Sequence, residues 1–204
     1  AHADYVVVGE GENAWPEVVA AAEAGAPARG FHANEHGPVD VARLPVPAYE
    51  LLGDRPYNRF TVQASRGCPY RCEFCASTVM LRQPYRKRPV GDVVRDVRRL
   101  RALRPDAFIE LADDNTFVDP DWGLELARAL RPLGVRWFTE TDVSVADHPE
   151  LLDELARAGC RQVLVGLETP GPYAGIGGLE ARSDFKARRA PDYERAVRAI
   201  QSHG

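Results

Sequence analysis

From residue 60 onward, short apolar runs alternate with longer segments in which apolar residues recur every three or four positions. The short runs predict buried strands, and the longer segments predict helices with one buried face. The predicted strands are FTVQAS, AFIELAD, VRWFTET and QVLVGLE, and a helical segment follows each of them. Four β-α units in succession indicate an α/β fold, with a parallel sheet and helices packed outside it.

The first part of the chain has a different pattern. An apolar strand, Tyr5 to Val8, is followed by a Gly–Glu–Gly turn and a helix that ends at Gly25. The next stretch carries five prolines and little periodicity, which predicts a linker or an extended surface segment. We therefore expect a strand–helix pair over residues 1–25, a linker over residues 26–58 and the β-α units over residues 59–204.

Composition and charge limit the kinds of function that the protein can have. The 204 residues are 45% hydrophobic and 27% charged, which is ordinary for a globular protein. A net charge of −4 makes nucleic acid an unlikely partner, because proteins that bind it are usually basic. No apolar run approaches the roughly 20 residues of a membrane span. Four cysteines, three of them clustered, predict a metal site in a reducing compartment, and so a cytoplasmic protein.

The clustered cysteines lie in the stretch SRGCPYRCEFCAS, directly after the first strand of the predicted sheet. Thiolates bind soft or borderline metals, and the short intervals between Cys68, Cys72 and Cys75 would let all three reach one centre. In a cluster of four irons, three local cysteines would leave one iron open to another ligand. Ligand sites of parallel sheets lie at the carboxyl ends of the strands, which is where this loop stands.

A zinc site is the alternative interpretation of these cysteines. Zinc needs a fourth ligand, which only Cys160 or one of five histidines could supply. The histidine pair His32 and His36 lies upstream in the proline-rich stretch, whereas histidines usually follow the cysteines in zinc motifs. A zinc-stabilised interaction domain is therefore the alternative function outside the enzymes.

Acidic residues follow the other three predicted strands. Asp113 and Asp114 come after the second strand and could hold an ammonium or a hydroxyl group, although an Asx turn is the alternative. Glu140 and Asp142 follow the third strand, where a solvated loop is equally compatible. Glu168 closely follows the apolar run of the fourth strand, so its carboxylate should face the mouth of the sheet.

The cysteine spacing, with the aromatic Phe74 just before the last cysteine, resembles the signature of the radical S-adenosylmethionine (radical SAM) superfamily. The similarity covers about residues 58–204 and includes the acidic end of the second strand and the GLE of the fourth. It implies a partial (β/α) barrel of about four units, fewer than the family core. In that family three cysteines hold a 4Fe–4S cluster whose open iron binds S-adenosylmethionine. One electron then cleaves S-adenosylmethionine to methionine and a 5′-deoxyadenosyl radical, which abstracts a hydrogen atom from the substrate.

The resemblance also implies roles for single residues. Cys68, Cys72 and Cys75 would be the cluster ligands. Phe74 would pack near the adenine, and Glu168 would contact the ribose or the methionyl part. Asp113 and Asp114 stand where the family usually has a Gly-Gly-Glu-like segment for the methionyl amino group. The implied partners are a small-molecule substrate of unknown identity and an electron donor such as flavodoxin or ferredoxin.

The front of the chain, ADYVVVGEGE followed by a helix and LPVPAYELL, is similar to radical enzymes that carry an N-terminal cobalamin-binding domain. Residues 1–25 would be the last strand and helix of that Rossmann-like domain. The loop that ligates cobalt would lie upstream, so cobalamin and cobalamin-linked methyl transfer are implied only for a full-length protein. A tRNA-modifying radical SAM enzyme is the alternative within the superfamily.

Both ends of the chain are abrupt, since it begins without a methionine just before a strand and stops where a helix ends. We therefore expect an internal fragment of a longer protein, poorly active by itself.

Overall fold

The computed structural model describes residues 5–25, 30–33, 37–70, 72, 75–77, 84–168 and 185–204. The strands are β1 (Tyr5–Val8), β2 (Gly30–Ala33), β3 (Phe60–Val62), β4 (Ser65–Arg66), β5 (Arg86–Lys87), β6 (Phe108–Leu111), β7 (Arg136–Thr141) and β8 (Cys160–Val165). The α-helices are α1 (Trp15–Glu23), α2 (Val90–Leu103), α3 (Pro120–Leu130), α4 (Pro149–Arg157), α5 (Phe185–Arg189) and α6 (Tyr193–Ser202).

The centre of the molecule is a four-stranded sheet with the order β3-β6-β7-β8, and every neighbouring pair is parallel. Helix α2 packs against α3, and α3 packs against α4. The core between sheet and helices includes the fully buried side chains of Leu100, Ile109, Leu126 and Trp137. The predicted alternation of strands and helices around a parallel sheet is confirmed, because each predicted apolar run contains a strand of the sheet and each periodic segment after it contains a helix.

Local signals place the helices where the sequence predicts them. Asp119 caps α3, since its carboxylate accepts a hydrogen bond of 3.0 Å from the backbone N–H of Trp122, and Pro120 occupies the first helical position, where no N–H is needed. The turn between α4 and β8 contains Gly159 at φ +87°. A side chain there would collide with the carbonyl oxygen of Val135, so glycine allows the chain to re-enter the sheet at this point.

The N-terminal part contains a second, two-stranded sheet. Strands β1 and β2 pair in parallel, from Tyr5 opposite Gly30 to Val8 opposite Ala33. Residues 30–33, within the stretch predicted as a linker or an extended surface segment, therefore form a paired strand. The sequence GFHA has no alternating pattern to reveal a strand, and the pairing depends on the edge that β1 offers.

A short antiparallel ribbon stands at the base of the cysteine loop. Strand β4 follows β3 after two residues and pairs with β5, which lies on the far side of the loop. The ribbon therefore joins the two ends of the segment that carries the three clustered cysteines. In the part of the chain that the structure describes, no helix combines the length and the apolar character needed to cross a membrane.

Candidate functional site

A cavity of about 240 Å³ opens at the carboxyl end of the sheet. Its walls come from the cysteine loop, from the segments that follow β6, β7 and β8, and from α5. Among the predicted site residues, the lining includes Cys68, Cys72, Cys75, Asp114 and Glu168. Residues from loops distant in sequence meet there because parallel strands end at one edge of the sheet.

All four cysteines belong to the described residues, and none of them is in a disulfide. Cys72 is buried, whereas Cys68 and Cys75 are partly exposed at the cavity. Burial raises the pKa of the Cys68 thiol, and the nearby carboxylates of Asp142 and Asp114 raise it further. A bound metal centre would favour the thiolate form of this sulfur.

The donor set at the cavity suits an iron–sulfur cluster. The described lining residues include three thiols, and no histidine or fourth cysteine is among them. Cys160 starts β8 at the opposite end of the sheet, and burial raises its pKa to about 12. A cubane cluster accepts three such thiols and keeps one iron open.

Asp113, for which the resemblance implies a role in cofactor binding, is not among the described residues that line the cavity. Its Oδ1 accepts hydrogen bonds of 2.8 Å from the backbone N–H groups of Ala64 and Ser65. Its Oδ2 accepts a hydrogen bond of 3.0 Å from the hydroxyl of Thr116. Burial raises the pKa of this carboxyl to about 6, although these hydrogen bonds oppose the effect. Asp113 thus fixes the backbone between β3 and β4, directly before the cysteine loop.

Asp114 points to the cavity and is exposed. Its Oδ2 accepts a hydrogen bond of 3.1 Å from the backbone N–H of Gly67, the residue before the first cysteine of the loop. Glu140, the second-last residue of β7, lines the same cavity. Burial raises the pKa of Glu140, and the carboxylates of Glu110 and Asp114 add to this. The wall formed by β6 and β7 is therefore acidic.

Asn115 is a buried residue of the site that was not among the predicted ligands. Its Nδ2 donates a hydrogen bond of 2.7 Å to Asp142 and lies 3.9 Å from the sulfur of Cys68. Its Oδ1 accepts a hydrogen bond of 3.3 Å from the hydroxyl of Thr141. Asn115 therefore connects the end of β7 to the cysteine loop. The position of this amide directly after two aspartates at a strand end was the signal available in the sequence.

Glu168 forms an ion pair with Lys186, with 2.6 Å between Oε1 and Nζ. The Lys186 ammonium also donates to the carbonyl oxygen of Gly166 at 3.0 Å. Glu168 has a φ of +63°, the left-handed region that favours glycine. Strained backbone of this kind is common where a side chain must be aimed at a site. Lys186 was not predicted, because no pattern links it to the fourth strand.

Aromatic and hydroxyl contacts hold α5 beside the cysteine loop. The rings of Tyr70 and Phe185 are stacked, with centroids 4.5 Å apart. The hydroxyl of Tyr193 lies 2.9 Å from the carbonyl oxygen of Leu167 and 3.0 Å from that of Lys186. These contacts keep Lys186 at the cavity. Phe74, which the resemblance places near adenine, lies outside the described residues.

Comparison with known proteins agrees with this geometry. A family model described as the radical SAM superfamily matches residues 62–204. An uncharacterised methyltransferase of Synechocystis sp. is 35% identical over 83% of this chain and 32% of its own length. The hopanoid C-2 methylase of Rhodopseudomonas palustris is 28% identical over 98% of this chain and 39% of its own length.

A solved structure has the same fold. It is the radical S-adenosylmethionine methyltransferase TsrM from Kitasatospora setae with cobalamin and a [4Fe-4S] cluster bound. It matches with a TM-score of 0.60 at 23% identity, over 72% of this chain and 27% of that chain. The parallel sheet and its helices thus share the fold of that structure over most of this chain.

The chain spans less than half the length of these curated relatives. Its family match nevertheless covers most of the chain and includes all three clustered cysteines and the cavity around them. The match does not favour a zinc-stabilised interaction domain. The chain belongs to the radical SAM superfamily.

Proposed function

We propose that the protein is a radical SAM enzyme in which Cys68, Cys72 and Cys75 hold a 4Fe–4S cluster. The observation that carries this proposal is the single cavity lined by all three thiols and by the acidic ends of the neighbouring strands. When bound, such a cluster supplies the electron that cleaves the sulfonium of S-adenosylmethionine. The chain's own contribution is to hold the thiols, to bind the cosubstrate beside them and to restrict water.

The charges around the cavity suit S-adenosylmethionine. This molecule carries a sulfonium, an ammonium and one carboxylate. The described lining residues include Asp114, Glu140, Asp142 and Glu168 as acids, with Lys186 as the one cation. Asp114 would accept a hydrogen bond from the ammonium group, a role supported by its exposed carboxylate next to the cysteine loop. Lys186 would attract the carboxylate of S-adenosylmethionine. The side-chain ammonium of Lys186 is in turn oriented by its ion pair with Glu168.

Methyl transfer is the reaction class that the relatives favour. Their names include a bacteriochlorophyllide d C-12(1)-methyltransferase and a hopanoid C-2 methylase, and the TsrM structure holds cobalamin. The unit formed by β1, α1 and β2 is compatible with the end of a Rossmann-like cobalamin domain. We propose a small-molecule substrate, a full-length protein that binds cobalamin, and a cytoplasmic electron donor such as flavodoxin or ferredoxin.

A tRNA-modifying enzyme is less well supported. The ribosomal protein uS12 methylthiotransferase RimO of Symbiobacterium thermophilum is 31% identical but matches only 38% of this chain. The net charge of −4 does not favour RNA binding, because proteins that bind nucleic acid are usually basic.

Anaerobic reconstitution with iron and sulfide tests the proposal. We expect about four irons and four sulfides per chain, as in a cubane cluster, and 5′-deoxyadenosine and methionine when dithionite and S-adenosylmethionine are added. The variants C68A, C72A and C75A should each lose the cluster absorbance, whereas C160A should keep it. Loss of the cluster in C160A alone, or zinc in place of iron, would show that the assignment is wrong.

A further inference from the structure

Two arginines face each other at the base of the cysteine loop. Arg66 of β4 and Arg86 of β5 are direct partners in the antiparallel ribbon. Their side chains are only 12% and 16% exposed. Like charges directly opposite each other destabilise a strand pair, and partial burial reduces the screening by water. The ribbon therefore needs a negative group between the two guanidinium groups.

Glu10 supplies that group from the loop that follows β1. Its Oε1 accepts a hydrogen bond of 3.2 Å from Arg66 and a second, short one from Arg86. Its Oε2 accepts bonds of 3.0 Å from Arg86 and 2.6 Å from the backbone N–H of Val39. Burial alone would raise the pKa of Glu10, but the hydrogen bonds from Arg86, Val39 and Arg66 lower it to about 2. The carboxylate of Glu10 is thus ionised, and both of its oxygens accept hydrogen bonds.

The ribbon joined by Glu10 determines where the cysteine loop starts and ends. Arg66 is two residues before Cys68, and the residue between them, Gly67, is hydrogen-bonded to Asp114 at the cavity. Arg86 follows the loop, and the preceding residue, Tyr85, donates a hydrogen bond of 2.9 Å to the carbonyl oxygen of Thr116. A group that keeps Arg66 and Arg86 together therefore also keeps both ends of the loop at the cavity.

We propose that Glu10 is a positioning residue for the cysteine loop, acting through Arg66 and Arg86. It connects the β1–α1–β2 unit to the segment that carries the cluster ligands, although it lies far from them in sequence. This inference rests on the proposed function only in taking the loop to be a cluster site. The electrostatic contact itself is independent of the cluster.

Glu12 offers a matched control in the same turn. It binds Arg66 with 2.6 Å between its Oε1 and NH2, but its side chain is 36% exposed and it has no contact with Arg86 among the described interactions. Because the side chain of Glu12 is more exposed than that of Glu10, water screens this pair more strongly. If any loss of negative charge near Arg66 loosened the loop, neutralising Glu10 and neutralising Glu12 would both do so. If the bridge between the two arginines is what matters, only neutralising Glu10 would do so.

The test compares E10Q, E12Q and wild type by amide hydrogen exchange in the full chain before cluster loading. In E10Q we expect exchange at residues 65–70 and 84–88 to accelerate roughly tenfold or more, as follows from losing charge-assisted hydrogen bonds. Alkylation of Cys68 should accelerate with it, while alkylation of Cys160 and exchange in β6, β7 and β8 should not change. E12Q should stay within about twofold of wild type. The double variant E10Q/R86Q should exchange more slowly than E10Q, because one of the facing cations is gone.

Three results would overturn the proposal. The first is E10Q exchange within twofold of wild type at the ribbon. The second is loss of protection across the whole sheet, which would assign Glu10 to overall folding. The third is exchange in the double variant as fast as in E10Q. Iron uptake by the wild type is measured separately, so a wild type without iron would refute the proposed function and leave the test of Glu10 intact.

Discussion

Asp113 and Asp114 are consecutive in the chain, yet the carboxylate of Asp113 is buried under the β3–β4 backbone while that of Asp114 lines the cavity. Successive side chains of an extended segment point to opposite sides, so a pair of acids at the end of β6 sends one inward and one toward the ligand site. The two residues therefore allow stability and cofactor binding to be changed separately.

Replacing Asp113 by alanine should destabilise the fold. The change removes the acceptor for the N–H groups of Ala64 and Ser65, and such buried unpaired donors cost about 1–3 kcal/mol each. Asparagine keeps an oxygen acceptor at the same place, so D113N should lose much less. Urea unfolding of D113A, D113N and wild type measures the difference. Equal midpoints for D113A and wild type would contradict the hydrogen bonds described here.

The buried Asp113 should also make stability depend on pH. Its pKa is raised from 3.8 to about 6, with burial as the main cause. The folded state therefore binds more protons than the unfolded state between these values, and stability falls as pH rises from about 4 to 6. D113N should lack this component. The measurement is the free energy of unfolding of both proteins across that range. An identical slope would show that another group is responsible.

Asp114 should matter for binding and little for stability. D114N keeps the size of the side chain and an acceptor for the N–H of Gly67, but it removes a negative charge beside the proposed ammonium site. We expect the affinity of the cluster-loaded protein for S-adenosylmethionine to fall about tenfold, the equivalent of one lost charge-assisted contact. Isothermal titration measures it. Unchanged affinity would exclude Asp114 from the contact.

Much of this arrangement could be predicted from the sequence. Apolar periodicity gave the parallel sheet, and the rule that parallel strands end at one edge brought the three cysteines, Asp114 and Glu168 to one cavity. These features depend on local sequence or on a topology with few alternatives.

Other features depend on tertiary contacts that no local pattern encodes. Lys186 lies at the cavity beside the stacked rings of Phe185 and Tyr70, which are 115 positions apart in the chain. The pairing of Glu10 with Arg86 joins residues 76 positions apart. The inward orientation of the Asp113 side chain could be predicted only by knowing where β6 ends and which backbone N–H groups lie next to it. No spacing or periodicity in the sequence indicates any of these three contacts.

The ion pair between Glu168 and Lys186 can be displaced without changing either residue. A Cβ added at Gly166 would lie 2.6 Å from the Glu168 Oε1 and 2.8 Å from the Lys186 Nζ, so G166A should push the pair apart. We expect weaker binding of S-adenosylmethionine, by about threefold to tenfold, with the cluster retained. The control is G91A, since a Cβ at Gly91 would meet nothing within 4 Å. Wild-type affinity in G166A would show that the pair has no part in binding.

The buried ion pair of Arg88 and Asp96 should be a major determinant of stability. The side chains are 3% and 1% exposed, with 2.8 Å between NH1 and Oδ2, and Arg88 also donates to the carbonyl oxygen of Gln63 at 2.7 Å. Two other guanidinium nitrogens of Arg88, Nε and NH2, are buried with no hydrogen-bond partner among the described residues. The carboxylate of Asp96 is thus the main compensation for the buried positive charge of Arg88.

Removing only the acid should therefore cost more than removing the whole pair. D96A leaves an uncompensated buried cation and should lower the free energy of unfolding by about 3–5 kcal/mol, whereas R88M/D96L replaces both charges by apolar groups and should be close to neutral. The exposed pair of Arg128 and Glu150, 57% and 73% exposed, is the control, and E150A should cost less than about 1 kcal/mol. Denaturant unfolding of the four proteins measures these values. If D96A and E150A lost the same amount, the Arg88–Asp96 pair would be no more important than a surface contact.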